Sequence, residues 1–291
     1  MHLTAGPLAM MNLQAQIEGI ELRIAADAAV VDDRTKLIEL IALRGQICSR
    51  IADYESADAM AQQLTRDEPT DARAFVARAQ ARSIFHRFTE ALEDLDAADD
   101  LGASESLTKA ERASVFQAIG RYDEAHALFD EIAKRRADFQ SLAALATLHA
   151  VCDEIAAAEE LFERCLASYR GISPIPPALL TFQRGHMWLA EGNLDRARRW
   201  FETTIEWLPA YAAAQSHLAE IDATLGRTEA AIARVLPLAT ASDDPQYAAL
   251  LAHMLEHAGR SEEAERWRTK SAARYDELMA HYPEAFAHHV R

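Results

Sequence analysis

Apolar positions recur every three to four residues in short runs from about Ile38 to Arg274, the spacing of amphipathic helices. No stretch shows the sustained two-residue alternation of a strand between turn clusters. The runs come in pairs, and the pairs repeat. Seven alanines, Ala57, Ala91, Ala125, Ala158, Ala197, Ala231 and Ala264, stand 34, 34, 33, 39, 34 and 33 residues apart, each opening a similar phrase. A period near 34, with two short helices and a turn in each unit, predicts a stacked helical solenoid.

One phrase shows the grammar. In Gly120-Arg-Tyr-Asp-Glu-Ala125-His-Ala-Leu-Phe129, Gly120 ends one helix in a left-handed turn and Tyr122 plugs the turn. Ala125 and Phe129 then face inward one helical turn apart. Gly192 to Phe201, Gly226 to Ala231 and Gly259 to Ala264 repeat it closely, while Asp53 to Ala57 and Arg87 to Ala91 are looser copies. Twelve residues before each marker stands a tiny residue: Gly45, Ala79, Ala113, Ala146, Gly185, Ala219 and Ala252. Two helices approach closely only where such residues meet, so the two rows mark the crossing within each unit. Pro69 and Pro209, twelve residues after their markers, close their units.

On these residues the chain resembles the tetratricopeptide repeat (TPR) family. The resemblance covers about seven units, 38–71, 72–105, 106–138, 139–172, 178–211, 212–244 and 245–278. It implies an all-α fold, a right-handed superhelical solenoid of antiparallel helix pairs with N- and C-terminal capping helices. Two units depart from the pattern, with Asp153 at the turn-glycine position and Arg268 at the inward aromatic position. The expected organisation is an extension and capping helix over 1–37, repeats over 38–278 and a tail over 279–291. Gly171-Ile-Ser-Pro-Ile-Pro-Pro177 accounts for the 39-residue interval and reads as a loop between the fourth and fifth units.

Composition narrows the function classes. A net charge of −16, from 46 acidic and 30 basic side chains, argues against nonspecific binding of nucleic acid or anionic lipid. The opening MHLTAGPLAMMNLQ lacks a basic n-region, and no run approaches a spanning helix, so the expected location is cytoplasmic, with no membrane partner. Cys48, Cys152 and Cys165 form neither a disulfide framework nor a CxxC pair; Cys48 and Cys165 take inward positions as inert thiols. Neither a GxSxG elbow nor a GxxxxGK phosphate loop occurs, so the expectation is no enzyme and no cofactor.

In the family, the first helix of each unit lines a concave surface that holds a peptide. Eleven residues before each marker stand Gln46, Gln80, Ser114, Thr147, His186, Glu220 and His253, a row that turns from neutral to His- and Glu-bearing. Four positions further back, Ala42, Val76, Ala110, Ala143, Phe182, Ser216 and Ala249 make a mostly apolar floor. The expected partner-binding residues are Gln46, Gln80, Arg82, Ser114, Gln117, Thr147, Phe182, His186, Glu220 and His253. The polar ones would hold backbone or termini, and Phe182 an apolar anchor. The family's clamp for acidic chaperone tails needs Lys, Asn and Arg on these rows; Ala42, Gln46, Val76, Gln80, Ala110 and Ser114 lack them.

Arg44, Arg78, Arg112 and Arg184 lie thirteen residues before their markers. They read either as paired structural arginines, with Asp94 facing Arg78, or as a cationic ladder for a carboxylate-bearing partner. His253 and His257, four apart on one helix with Glu220 on the preceding unit, make a weak metal candidate. The leading expectation is a non-enzymatic scaffold that captures a protein or peptide in its concave groove. The alternatives are a small-molecule or metal sensor on the His- and Glu-bearing C-terminal face, and homo-oligomerisation through Trp267, Tyr275 and Phe286.

Overall fold

The computed structural model describes residues 2–26 and 28–287. Among them are sixteen helices and no strand: the expected all-α solenoid. Seven antiparallel pairs follow a leading helix α1 (Gly6–Ala25). They are α2 (Val31–Cys48) with α3 (Ile51–Asp67), α4 (Ala72–Ile84) with α5 (Phe88–Asp100), α6 (Glu105–Ala118) with α7 (Tyr122–Arg135), and α8 (Phe139–Val151) with α9 (Ile155–Ser168). The last three are α10 (Ile175–Ala190) with α11 (Leu194–Trp207), α12 (Ala212–Thr224) with α13 (Thr228–Ala241), and α14 (Pro245–His257) with α15 (Ser261–His281). A short α16 (Pro283–Phe286) follows; residues 288–291 of the expected tail lie outside the described residues.

The marker alanines occupy the crossings. All seven are 0% exposed, and the tiny residues twelve positions earlier are buried as well. At Gly185 an added Cβ would come within 2.7 Å of the fully buried Phe201 ring, so glycine there lets α10 and α11 meet.

Each pair turns through one residue in the left-handed region. Gly120, Gly192, Gly226 and Gly259 serve in four turns, with φ between 71° and 80°. Ser49, His86 and Asp153 take that conformation in the other three, so the departure at Asp153 keeps the turn geometry. The first unit differs from its expected phrase: its turn falls at Ser49, and Asp53 lies inside α3. The fourth connection is also shorter than expected. Pro176 and Pro177 sit in the first turn of α10, where a missing N–H costs no helical hydrogen bond.

Helix α1 buries Gly6, Ala9, Leu13, Ile17 and Ile20 along one face and packs on α2, with Arg23 paired to Asp33 and Arg44 donating to Gln14 Oε1 at 2.7 Å. Its N-terminal end reaches far along the array. Gly6 lies against the Trp207–Pro209 connection, and the Thr4 N–H donates to the Ile172 carbonyl at 2.7 Å.

The same closure recurs twice more. The turn after α2 meets the connection before α14: the Ser49 and Tyr247 hydroxyls are 2.6 Å apart, and Ser242 donates to the Ser49 carbonyl. The turn after α4 meets the end of α15, where the Phe85 and Tyr282 rings stack with centroids 3.7 Å apart. Three successive early segments thus rest on three successive late connections, and the superhelix closes on itself along a seam.

Candidate functional site

The first helices of units one to three, α2, α4 and α6, border a concave cavity of about 640 Å³. Gln46, Gln80 and Ser114 project into it from successive helices, at the register read from the sequence. Ser114 is exposed, its hydroxyl donating to the Ala110 carbonyl at 3.0 Å, and Gln46 is exposed beside it. The Gln80 amide donates to Glu111 Oε1 at 2.7 Å. Glu111, one helical turn before Val115, has no motif in the sequence to mark it; burial in this cavity pushes its carboxyl above the usual range.

The remaining expected residues disperse. Arg82 points into its own helix pair, where it donates to Asp94 at 2.6 Å and to the Glu90 carbonyl at 3.1 Å. Thr147 donates back to the Ala143 carbonyl at 2.9 Å, and Gln117 is half-buried on α6. Phe182 is largely absorbed into packing: its ring lies 4.8 Å from Tyr211, 5.7 Å from Phe201 and 5.8 Å from His217. His186 joins that group, 5.7 Å from His217, and desolvation lowers its imidazole pKa with a further push from His217. His217 in turn pairs with Glu220 at 2.7 Å.

His253 lines a separate cavity of about 380 Å³ between α14 and α15. Its ring meets that of His257 at 4.5 Å. Glu220 does not join them, being engaged with His217; among the described residues no group of three or more His, Cys, Asp or Glu gathers as a metal would need.

The four register-matched arginines all have carboxylate partners. Arg44 forks onto Asp53 with both contacts at 2.8 Å, and Arg78 forks onto Asp94 at 3.0 and 2.6 Å. Arg112 reaches Asp96 and Asp99 on the preceding unit, each at 2.9 Å. Arg184, 4% exposed, binds Glu159 on the preceding unit and lies 3.9 Å from the Trp200 ring centroid. Bidentate pairs with carboxylates satisfy guanidinium groups held out of water, so these arginines tie helices together and leave no open ladder.

The thiols follow their burial. Cys165 is fully buried and its thiol is pushed up to about 12; burial raises Cys48 too. Neither reacts as a thiolate near neutral pH.

Residues 189–254 match the family model for the tetratricopeptide repeat. That stretch is a tetratricopeptide repeat segment. The whole helical array resembles human IFIT1, solved as a dimer with PPP-AAAA, at 15% identity and a TM-score of 0.62, over 87% of this chain and 63% of that one. A chain of the APC/C hetero-tetramer Cut9–Hcn1 matches at 16% identity and a TM-score of 0.58, over 89% of this chain. The present chain spans about half the length of that one, 49%. A tetratricopeptide repeat protein from Parabacteroides merdae matches at 15% identity and a TM-score of 0.52, over 90% of this chain and 93% of that one. At such identities the likeness is one of fold. No curated protein sequence is a match. No helix among the described residues is long and apolar enough to cross a membrane.

Proposed function

We propose that this TPR protein is a non-enzymatic scaffold that holds an extended segment of a protein partner in the concave cavity of its first three units. The observation that carries this reading is the convergence of Gln46, Gln80 and Ser114, from three successive helices, on one cavity of about 640 Å³. Amide and hydroxyl groups spaced along a groove suit a backbone, which offers a donor and an acceptor at each residue. Ala42, Leu43, Ile84 and Val115 supply apolar contact between them.

The cavity of units one to three is favoured over the floor of unit five because Phe182 already packs against Phe201, Tyr211 and His217. Mass spectrometry of proteins retained from native lysate would identify the partner. Gln80→Ala and a bulky Ser114→Trp should each weaken its binding by about tenfold, the cost of one lost or blocked interfacial contact. Binding indifferent to both substitutions, in variants that melt like the parent, would overturn the groove assignment.

A further inference from the structure

The cavity of the first three units has a one-sided charge. Glu39 and Glu111 line it, and neither lysine nor arginine does. The basic residues of the same helices are turned elsewhere: Arg44 to Asp53, Arg78 and Arg82 to Asp94, Arg112 to Asp96 and Asp99. Lys36 holds Glu39 at 2.8 Å from the exposed side of α2.

Glu111 differs from the fully buried aspartates of the array. Asp53, Asp58, Asp94 and Asp222 each carry an arginine. Glu111 is half-buried, and its hydrogen-bond partner is the neutral amide of Gln80; among the described residues no lysine or arginine pairs with it. A carboxylate kept from bulk water without a cation is unfavourable unless something supplies one.

Resting on the groove reading above, we infer that the bound segment carries a lysine or arginine whose cation pairs with Glu111. Its aliphatic stem lies along Ala42, Ile84 and Val115, the snorkelling arrangement of a long basic side chain. Gln80 both fixes the Glu111 carboxylate and remains beside the segment's backbone. At the rim, the stacked rings of His86 and Phe88, 5.3 Å apart, offer an aromatic face to the same cation or to a flanking residue. The protein's overall acidity draws such a segment in, while Glu111 sets where the charge must sit.

A phage-displayed random dodecapeptide library panned against the full chain tests this. Enriched peptides are then synthesised with a fluorophore and titrated by anisotropy against the parent, Glu111→Gln and Gln80→Ala. The expected result is enrichment of lysine or arginine, with binding weakened at least about tenfold by Glu111→Gln and by changing that lysine to norleucine in the peptide. Glu111→Gln removes one negative charge from a net −16, so general attraction to an acidic surface would leave binding nearly unchanged. The norleucine peptide gives the same reading on unaltered protein, whatever Glu111→Gln does to folding. Peptides that depend on Gln80 but lack a basic residue, or ignore Glu111→Gln, would overturn the cation assignment and leave the groove reading standing. Peptides indifferent to all groove substitutions would overturn both.

Discussion

Asp243 caps a helix that begins 192 residues before it: its two carboxylate oxygens accept the backbone N–H groups of Ile51 at 2.8 Å and Ala52 at 2.7 Å. Helix α3 has no side-chain cap of its own, so the last third of the chain satisfies donors that the first unit leaves open. Arg274 braces the same junction, donating to Glu55 at 2.9 Å and lying 3.7 Å from Asp243. Solenoids generally bind neighbour to neighbour; here distant units are joined as well.

Asp243→Ala should therefore destabilise the protein by about 1–2 kcal/mol, the usual cost of a lost N-cap. Asp243→Asn, which keeps an acceptor, should lose less. Small-angle scattering of the Ala variant should show a larger radius of gyration as the seam loosens. An unchanged radius and melting temperature would mean that the seam contributes nothing in solution.

Its neighbour Asp244 makes the seam pH-dependent. Burial pushes this carboxyl up to about 6, with Asp243 adding to the shift. A carboxyl whose pKa is higher folded than unfolded adds stability below its unfolded value near 4, and that contribution is lost as pH rises through about 6. Stability measured by urea unfolding should therefore rise between pH 7 and pH 5. Asp244→Asn should remove that slope and stabilise the protein at pH 7 by on the order of 1–3 kcal/mol. A parent whose stability only falls on acidification over this range would contradict the assignment.

Asp94, 3% exposed, accepts from both Arg78 and Arg82. Asp94→Ala strands two guanidinium groups inside one helix pair and should cost about 3–5 kcal/mol in chemical denaturation. Replacing all three residues by apolar side chains of similar size should recover most of that loss, because the destabilisation comes from unpaired charge rather than missing volume.

Gly185→Ala should cost about 1–3 kcal/mol, because the added methyl meets the buried Phe201 ring at 2.7 Å and α10 cannot move away without opening its pair. Ala219→Gly, at the equivalent crossing of the next unit, removes a methyl instead. It should cost about 1 kcal/mol, mostly through helix propensity. Thermal melts of the two variants separate the steric penalty from the backbone one.

The local parts of this fold were legible because each is a short-range packing rule repeated seven times. A marker alanine, a tiny residue twelve positions earlier and a left-handed turn residue are all that a helix pair needs. The first turn carries no glycine signal because Ser49 takes the left-handed conformation, leaving α3 with an extra N-terminal turn. The seam had no sequence signal at all. Ser49 and Tyr247, or Phe85 and Tyr282, meet only because small rotations per unit accumulate over the whole array.

The candidate site divides the same way. Register alone brought Gln46, Gln80 and Ser114 together, since equivalent positions of stacked units face one groove. It could not show that Arg82 turns into Asp94, or that Phe182 is taken up by Tyr211, because those partners come from neighbouring helices at unequal offsets. Glu111 lies off the row of equivalent positions that faces the groove, so register does not single it out. Only its position in the cavity, paired with Gln80, distinguishes it from other surface glutamates.

The central claim is that a partner segment lies in the cavity of the first three units. Its most direct test is a photo-crosslinking residue placed at Ser114 in the cavity, or at the exposed Glu160 on α9, in the complex isolated from native cells. The expected result is a crosslink to one contiguous partner segment from position 114 and none from 160. Crosslinks from 160 with none from 114 would contradict the account.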